Sequence, residues 1–433
     1  MLVLKSIVRI IFIVFVVQSL LNILGAQTNE EINSLYKKGM EAHKNKDYPL
    51  FLDSMAKLNT YLPENPTVLY NLASAYSLNK NKDESLKYLK KMMTINANPA
   101  ISDDSDFDFI KDSDEFKAVL KKIKQMNKHL SGSEPVFTIK ERDLHPESVV
   151  YDTKTGFFYI GSVHKRKIVQ FNSNGSSSDF TYQGQDGLYG VMGMRIDPVN
   201  RVLWVASSGL KFIVNFNSET EDGVSGVFKY NLDTKKLLKK YILKDDEKHN
   251  FDDLILHSNG DIYISDSKKV YRITKAKDEL EQFIDKDDFV SVQGLCLVDN
   301  EKKLLIADWI KGMFIYDFNS QTISKIEHDD NISLKGIDGI YPYENISIVA
   351  IQNGIKPMRV ARYYFDDSFS RIIKTEILES GNPIFNEPTL GTIVKNVFYY
   401  VANSQWNGYN RDGSIQQIDK LSDTHILKID LAK

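Results

Sequence analysis

Six segments of this chain repeat one pattern. Each has an acidic or polar residue, a short apolar run, a polar turn, then an aromatic or β-branched run ending on a small or polar residue. They are "PESVVYDTKTGFFYIGS", "VMGMRIDPVNRVLWVAS", "FDDLILHSNGDIYISD", "VQGLCLVDNEKKLLIAD", "IDGIYPYENISIVAIQN" and "NEPTLGTIVKNVFYYVAN". Their leading positions are Glu147, Met192, Asp252, Gln293, Asp338 and, more loosely, Glu387, in steps of 45, 60, 41, 45 and 49 residues. A four-stranded propeller blade has about this length. An immunoglobulin-like array, the rival, needs about 100 residues per domain. The expected fold is therefore mainly β, a six-bladed β-propeller over residues 138 to 433.

The same repetition carries a chemical expectation. If each segment holds the innermost strand of its blade, the leading positions are equivalent and gather at one end of the central channel. Glu147, Asp252, Gln293 and Asp338 would then converge. Oxygen-bearing side chains meeting on an axis repel unless a cation sits among them. Hard oxygen donors with no Cys or paired His suit Ca²⁺ best, with Mg²⁺ or Mn²⁺ as alternatives. The third segment opens on two adjacent carboxylates, Asp252 and Asp253, where a strand disfavours Asp. Its Ser258–Gly260 stretch reads as an Asn-Gly hairpin turn.

Residues 28 to about 99 read instead as helices with a period of 34: Gly39 matches Ala73, Phe51 matches Ser85, Met55 matches Leu89 and Leu58 matches Met92. The period resembles the tetratricopeptide repeat, and a further helix at 114 to 128 caps the stack. A small all-α domain is thus expected over 28 to 128. Its helical repeats either bind a protein partner or pack on the next domain. Residues 129 to 137, with Ser, Gly and Pro, read as a linker.

The first 26 residues, with Lys5, Arg9, an apolar run from Ile10 to Leu24 and Gly25-Ala26, read as a secretory signal peptide. An uncleaved membrane anchor is the rival, since the run is long for a signal. The reading implies a secreted or periplasmic protein, with no membrane contact beyond that segment. The single cysteine, Cys296, allows no internal disulfide and sits in an apolar strand run. A formal net charge of −3 and no long basic run exclude nucleic acid as an expected partner.

At "HPESVVYD", "FDDLILHSNGDIYISD", "VQGLCLVDNEKKLLIAD" and "IDGIYPYENISIVAIQN" the chain resembles the senescence-marker-protein/gluconolactonase group, kin to paraoxonases and strictosidine synthases. The resemblance implies one divalent metal, usually Ca²⁺, held by a Glu, two Asn and an Asp. Carried over, its ligands are Glu147, Asp252, Gln293 and Asp338, with Asp252 and Gln293 standing where the family has Asn. It also implies hydrolysis of a small-molecule lactone or ester. Asp338 would be the metal-bound carboxylate that acts as base, with Asp253 in support. Paraoxonases carry a His on the second blade where this chain has Met192. His145 and His249 are the His residues beside the leading positions, and both fit solvent loops better. Gln352, Asn353, Asn403 and Gln405 fall at strand ends, either contacting substrate or capping blade edges; Glu387 is a fifth carboxylate candidate. Trp204, Trp309 and Trp406 fit packing between blades better than a ligand platform. The leading expectation is an exported calcium-dependent hydrolase of a lactone or ester. The alternative is a non-catalytic scaffold or ligand-binding protein with a structural cation.

Overall fold

The computed structural model describes residues 26 to 433 except 244 and 411. The signal-peptide reading lies outside the described residues, apart from Ala26. Contacts divide the chain into a helical unit through Lys128, which includes Asp330–Ser333, and a β unit from His129 onward. Among the described residues no helix is long and apolar enough to cross a membrane.

The helical unit contains α1 (Ala26–Lys44), α2 (Tyr48–Tyr61), α3 (Pro66–Leu78), α4 (Lys82–Met93) and α5 (Asp114–Met126). The residues matched at period 34 are the ones that close its core: Phe51, Met55 and Leu58 in α2, then Ser85, Leu89 and Met92 in α4, all buried. Gly39 lets α1 and α2 cross closely, since a Cβ there would fall 2.3 Å from Met55 Cε. Asp47 and Asn81 cap α2 and α4 by accepting from Leu50 N and Glu84 N, each at 3.2 Å. The equivalent turns are therefore 45–47 and 79–81, with Lys46 and Lys80 both in the left-handed region. Lys82, Asp83 and Glu84 form the first turn of α4.

The β unit is a six-bladed propeller of six four-stranded antiparallel sheets. Its ring begins with β1 (Ser133–Ile139), followed by blade one: β2 (Pro146–Asp152), β3 (Phe157–Ser162), β4 (Lys167–Phe171) and β5 (Ser177–Asp179). Blade two is β6 (Gly190–Asp197), β7 (Val202–Ser208), β8 (Ser225–Asn231) and β9 (Leu237–Ile242). Blade three is β10 (Phe251–Leu256), β11 (Ile262–Asp266), β12 (Lys269–Ile273) and β13 (Leu280–Asp285). Blade four is β14 (Val292–Val298), β15 (Lys303–Asp308), β16 (Gly312–Asp317) and β17 (Thr322–Lys325). Blade five is β18 (Ile337–Tyr343), β19 (Ser347–Gln352), β20 (Arg359–Phe365) and β21 (Ile372–Ser380). Blade six is β22 (Gly391–Val394), β23 (Val397–Val401) and β24 (Thr424–Asp430), closed by β1 on β24.

The ring is therefore joined by its two chain ends, and part of the stretch read as a linker is a strand. That strand is anchored by Glu379, fully buried, which accepts from Gly132 N at 2.6 Å, Ser133 N at 2.8 Å and His129 Nε2 at 2.9 Å. The core lies between blades. Trp204 of blade two, for instance, packs with Phe251 and Tyr271 of blade three. Each large apolar side chain so buried contributes roughly 1.5–3 kcal/mol. Cys296 is buried in β14 and burial pushes its thiol up, so it is a packing residue.

Candidate functional site

Every inner strand from blade one to blade five breaks register at its leading position. The irregularities fall between Pro146 and Ser148, Val191 and Met194, Phe251 and Leu254, Val292 and Leu295, and Ile337 and Ile340. A β-bulge kinks its strand and re-aims the side chain at the kink. Here the bulges bring carboxylates from different blades to bear on one another. In blade six the leading residue, Glu387, precedes β22 instead and has a φ of 59°.

The bulges also force small residues. Gly193, Gly294 and Gly339 follow three of the leading positions. A Cβ on Gly294 would fall 2.3 Å from the Asp338 carbonyl oxygen, so β14 and β18 could not approach as they do. At the equivalent place in blade three stands Asp253.

Glu147, Asp252 and Asp338 are all buried and form one electrostatic cluster. Glu147 Oε2 accepts from Ser404 Oγ at 3.0 Å and from Trp406 Nε1 at 2.9 Å. Burial, then the charges of Asp338 and Asp252, hold the Glu147 carboxyl well above the usual carboxylate range against those two hydrogen bonds. Asp252 is raised likewise, by burial, then Asp338 and Asp266. Its Oδ1 accepts from Asn250 Nδ2 at 2.8 Å, but its buried Oδ2 has no partner. Asp338 Oδ2 accepts from Asn353 Nδ2 at 2.6 Å, and burial, with Asp253 and Glu387 adding to it, pushes the carboxyl up to about 7.

Among the described residues no three His, Cys, Asp or Glu side chains stand close enough to enclose an ion by themselves. Buried carboxylates without a countercharge repel, which is the direction in which these groups are shifted. Its donor set still suits a hard cation, being oxygen throughout. Two buried oxygens, Asp252 Oδ2 and Asn250 Oδ1, have no hydrogen-bond partner among the described residues. An orphaned buried acceptor of this kind costs roughly 1–3 kcal/mol.

The remaining candidates divide. Asn353 joins the cluster: besides Asp338 it donates to the Pro388 carbonyl at 3.1 Å and accepts from Trp309 Nε1 at 3.0 Å. Its neighbour Gln352 points elsewhere, donating to Lys335 O at 2.6 Å and accepting from Arg359 and Tyr363. Gln352 is the last residue of β19 and Asn353 lies just past it, where the chain leaves the strand. Asn403 and Gln405 are spent on the 422–425 segment, Asn403 on Asp423 O and His425 N, and Gln405 on Ser422. Gln293 is half-buried and donates to Ser291 Oγ at 3.2 Å; no hydrogen bond among the described residues ties it to a carboxylate of the cluster. Half-buried Glu387 accepts from Asn407 N at 3.1 Å, and its charge acts on Asp338.

Asp253 turns between blades. It is fully buried and pairs with Arg195 of blade two, Nη2 to Oδ2 at 2.9 Å. Burial raises its carboxyl, and the guanidinium offsets part of that.

Neither neighbouring His is a solvent residue, contrary to the sequence expectation. His145 is buried against Trp406, Tyr409 and Phe212, with no hydrogen bond to either ring nitrogen, and burial pushes it down to about 3. His249 is buried between Asp266 at 2.7 Å and Asp245 at 2.9 Å. Burial alone would lower it, but the two carboxylates hold it above its ordinary value. Met192 is buried among the apolar residues between blades two and three.

Sequence reasoning missed Asn250, Arg195, Ser404 and the roles of Trp309 and Trp406. Asn250 lies just ahead of the third segment, and Ser404 and Trp406 just beyond the sixth, so the repeat drew no attention to them. Trp204 is packing, as expected, whereas the other two indoles direct N–H groups at the cluster.

No family model matches the chain, and no curated protein matches it in sequence. Solved structures similar to it include a virginiamycin B lyase from Staphylococcus aureus, 12% identical with a TM-score of 0.45, covering 69% of this chain and 99% of that one. A gluconolactonase from Xanthomonas campestris is 11% identical with a TM-score of 0.45, covering 66% and 86%. A luciferin-regenerating enzyme is 12% identical with a TM-score of 0.45, covering 68% and 95%. The blade count and strand order described above rest on this chain's own hydrogen bonds.

Proposed function

We propose that the chain is an exported hydrolase of a lactone or ester that works with a divalent cation, Ca²⁺ fitting best, at the end of the propeller channel. The observation that carries this reading is the unpartnered Oδ2 of buried Asp252 beside Glu147, both carboxyls being raised by burial and then by Asp338. A cation there would polarise the substrate carbonyl. Glu147 is fixed by Trp406 and Ser404, and so keeps one orientation through turnover. Asp338 has Oδ2 tied to Asn353, which leaves Oδ1 to take the proton of an attacking water. Export rests on the N-terminal apolar run. The helical unit would hold a protein partner.

The test is turnover by the purified protein on a panel of lactones and aryl esters, with and without chelator. Chelator-sensitive hydrolysis that is lost in Asp338→Ala supports the reading; unchanged turnover in that variant removes it.

The burial of both His residues and of Met192 favours a second reading, a scaffold or ligand-binding protein with a structural cation. In that case chelation lowers the melting temperature and no substrate of the panel is turned over. A partner pull-down for which residues 28 to 128 are dispensable would count against the scaffold.

A further inference from the structure

Asn250 enters the cluster from an unusual position. It lies one residue before β10, ahead of the repeated segment. Its backbone is fixed, with the amide N–H donating to Asp266 Oδ1 at 2.8 Å. Asp266 is in turn held by His249 Nδ1 at 2.7 Å and Ser267 N at 2.8 Å.

The side chain is oriented as firmly. Nδ2 donates to Asp252 Oδ1 at 2.8 Å. With a cation bound Asp252 is ionised and only accepts, and in that state this bond determines which end of the amide is which. The other end, Oδ1, is buried and has no partner. Asp252, 6% exposed, shows the same condition one bond further on: Oδ1 is used and buried Oδ2 is unpartnered. Two residues joined by a hydrogen bond thus present two buried acceptor oxygens with nothing to accept from.

A cation within reach of the two would satisfy both, and a calcium ion takes six to eight oxygens. Asp252, Glu147 and Asp338 supply charge, but further carboxylates would add repulsion. An amide oxygen adds a ligand without charge, as Gln293 Oε1 would beside the Nε2 that donates to Ser291.

We propose that Asn250 is itself a ligand of the channel cation, through Oδ1, alongside Asp252. The proposal rests on the reading of this cluster as a cation site and adds a residue to it. Asn250 does two things there: Nδ2 orients Asp252, and Oδ1 faces the ion.

Calcium titration of the full-length, chelator-stripped protein by calorimetry separates these roles. Asn250→Ala loses both and should weaken binding roughly 10-fold or more. Asn250→Asp loses the donor but keeps an oxygen, and should bind within about threefold of the wild type or tighter. Melting temperatures without calcium, read alongside, check that both variants fold. Unchanged binding in Asn250→Ala would overturn the proposal, and so would binding in Asn250→Asp as weak as in Asn250→Ala. In either case the cation site itself stands if Asp338→Ala abolishes binding. A wild-type protein that takes up no calcium overturns both.

Discussion

Asp253 occupies the space that Gly193 leaves open: a Cβ on Gly193 would lie 2.7 Å from Asp253 Oδ1 and 2.7 Å from its Cα. The backbone contact cannot be relieved by a side-chain rotation. Gly193→Ala should therefore push blades two and three apart and cost about 1–3 kcal/mol. Urea denaturation measures this, with a lower midpoint and an unchanged slope expected.

The pair that this space accommodates is Arg195, partly buried, and Asp253, almost entirely withdrawn from solvent. Removing one partner from such a pair leaves an uncompensated buried charge, at a cost of about 3–5 kcal/mol. Arg195→Met should show that loss in thermal unfolding. Adding Asp253→Asn should restore part of it, and a double variant no better than the single one would contradict the pairing.

Protonation of the cluster makes stability depend on pH in a defined direction. Glu147, Asp252, Asp253 and Asp338 all have raised carboxyls, Asp338 at about 7. A raised group contributes stability fully below its unfolded value, about 4, and loses it as pH rises through the folded value. His145, pushed down to about 3, acts in the opposite sense and only below about pH 6.5. In chelator, the melting temperature should fall between about pH 5 and about pH 8. Asp338→Asn should reduce the slope, and saturating calcium should flatten it. A chelated protein that becomes steadily more stable over that range would contradict the assignment.

One buried carboxylate anchors the start of the strand that closes the ring. Glu379 receives three donors from residues 129 to 133, ahead of and at the start of β1. Glu379→Ala orphans two backbone N–H groups and should cost about 2–5 kcal/mol. Hydrogen exchange should then show β1 opening before the other strands of its blade.

The ring was legible in the sequence because blades recur, and the recurrence singled out Glu147, Asp252, Gln293 and Asp338 as equivalent. What the period could not convey was direction. Gln352 and Asn353 look alike as strand-end amides, yet one cross-links its own blade and the other holds Asp338. Asp253 looks like a partner of Asp252, but the bulge turns it toward Arg195. Strand β1 read as linker because its pairing partner lies at the far end of the chain. Trp406 reaches Glu147 from a loop outside the repeat, where no periodicity pointed to it.

The central claim is that carboxylates from three blades hold a divalent cation, and the calcium content of the purified protein after exhaustive dialysis tests it most directly. Mass spectrometry of the metal should find one calcium per wild-type chain and none in Asp252→Ala. A wild-type protein free of calcium, magnesium and manganese that takes up none of them on addition would contradict it.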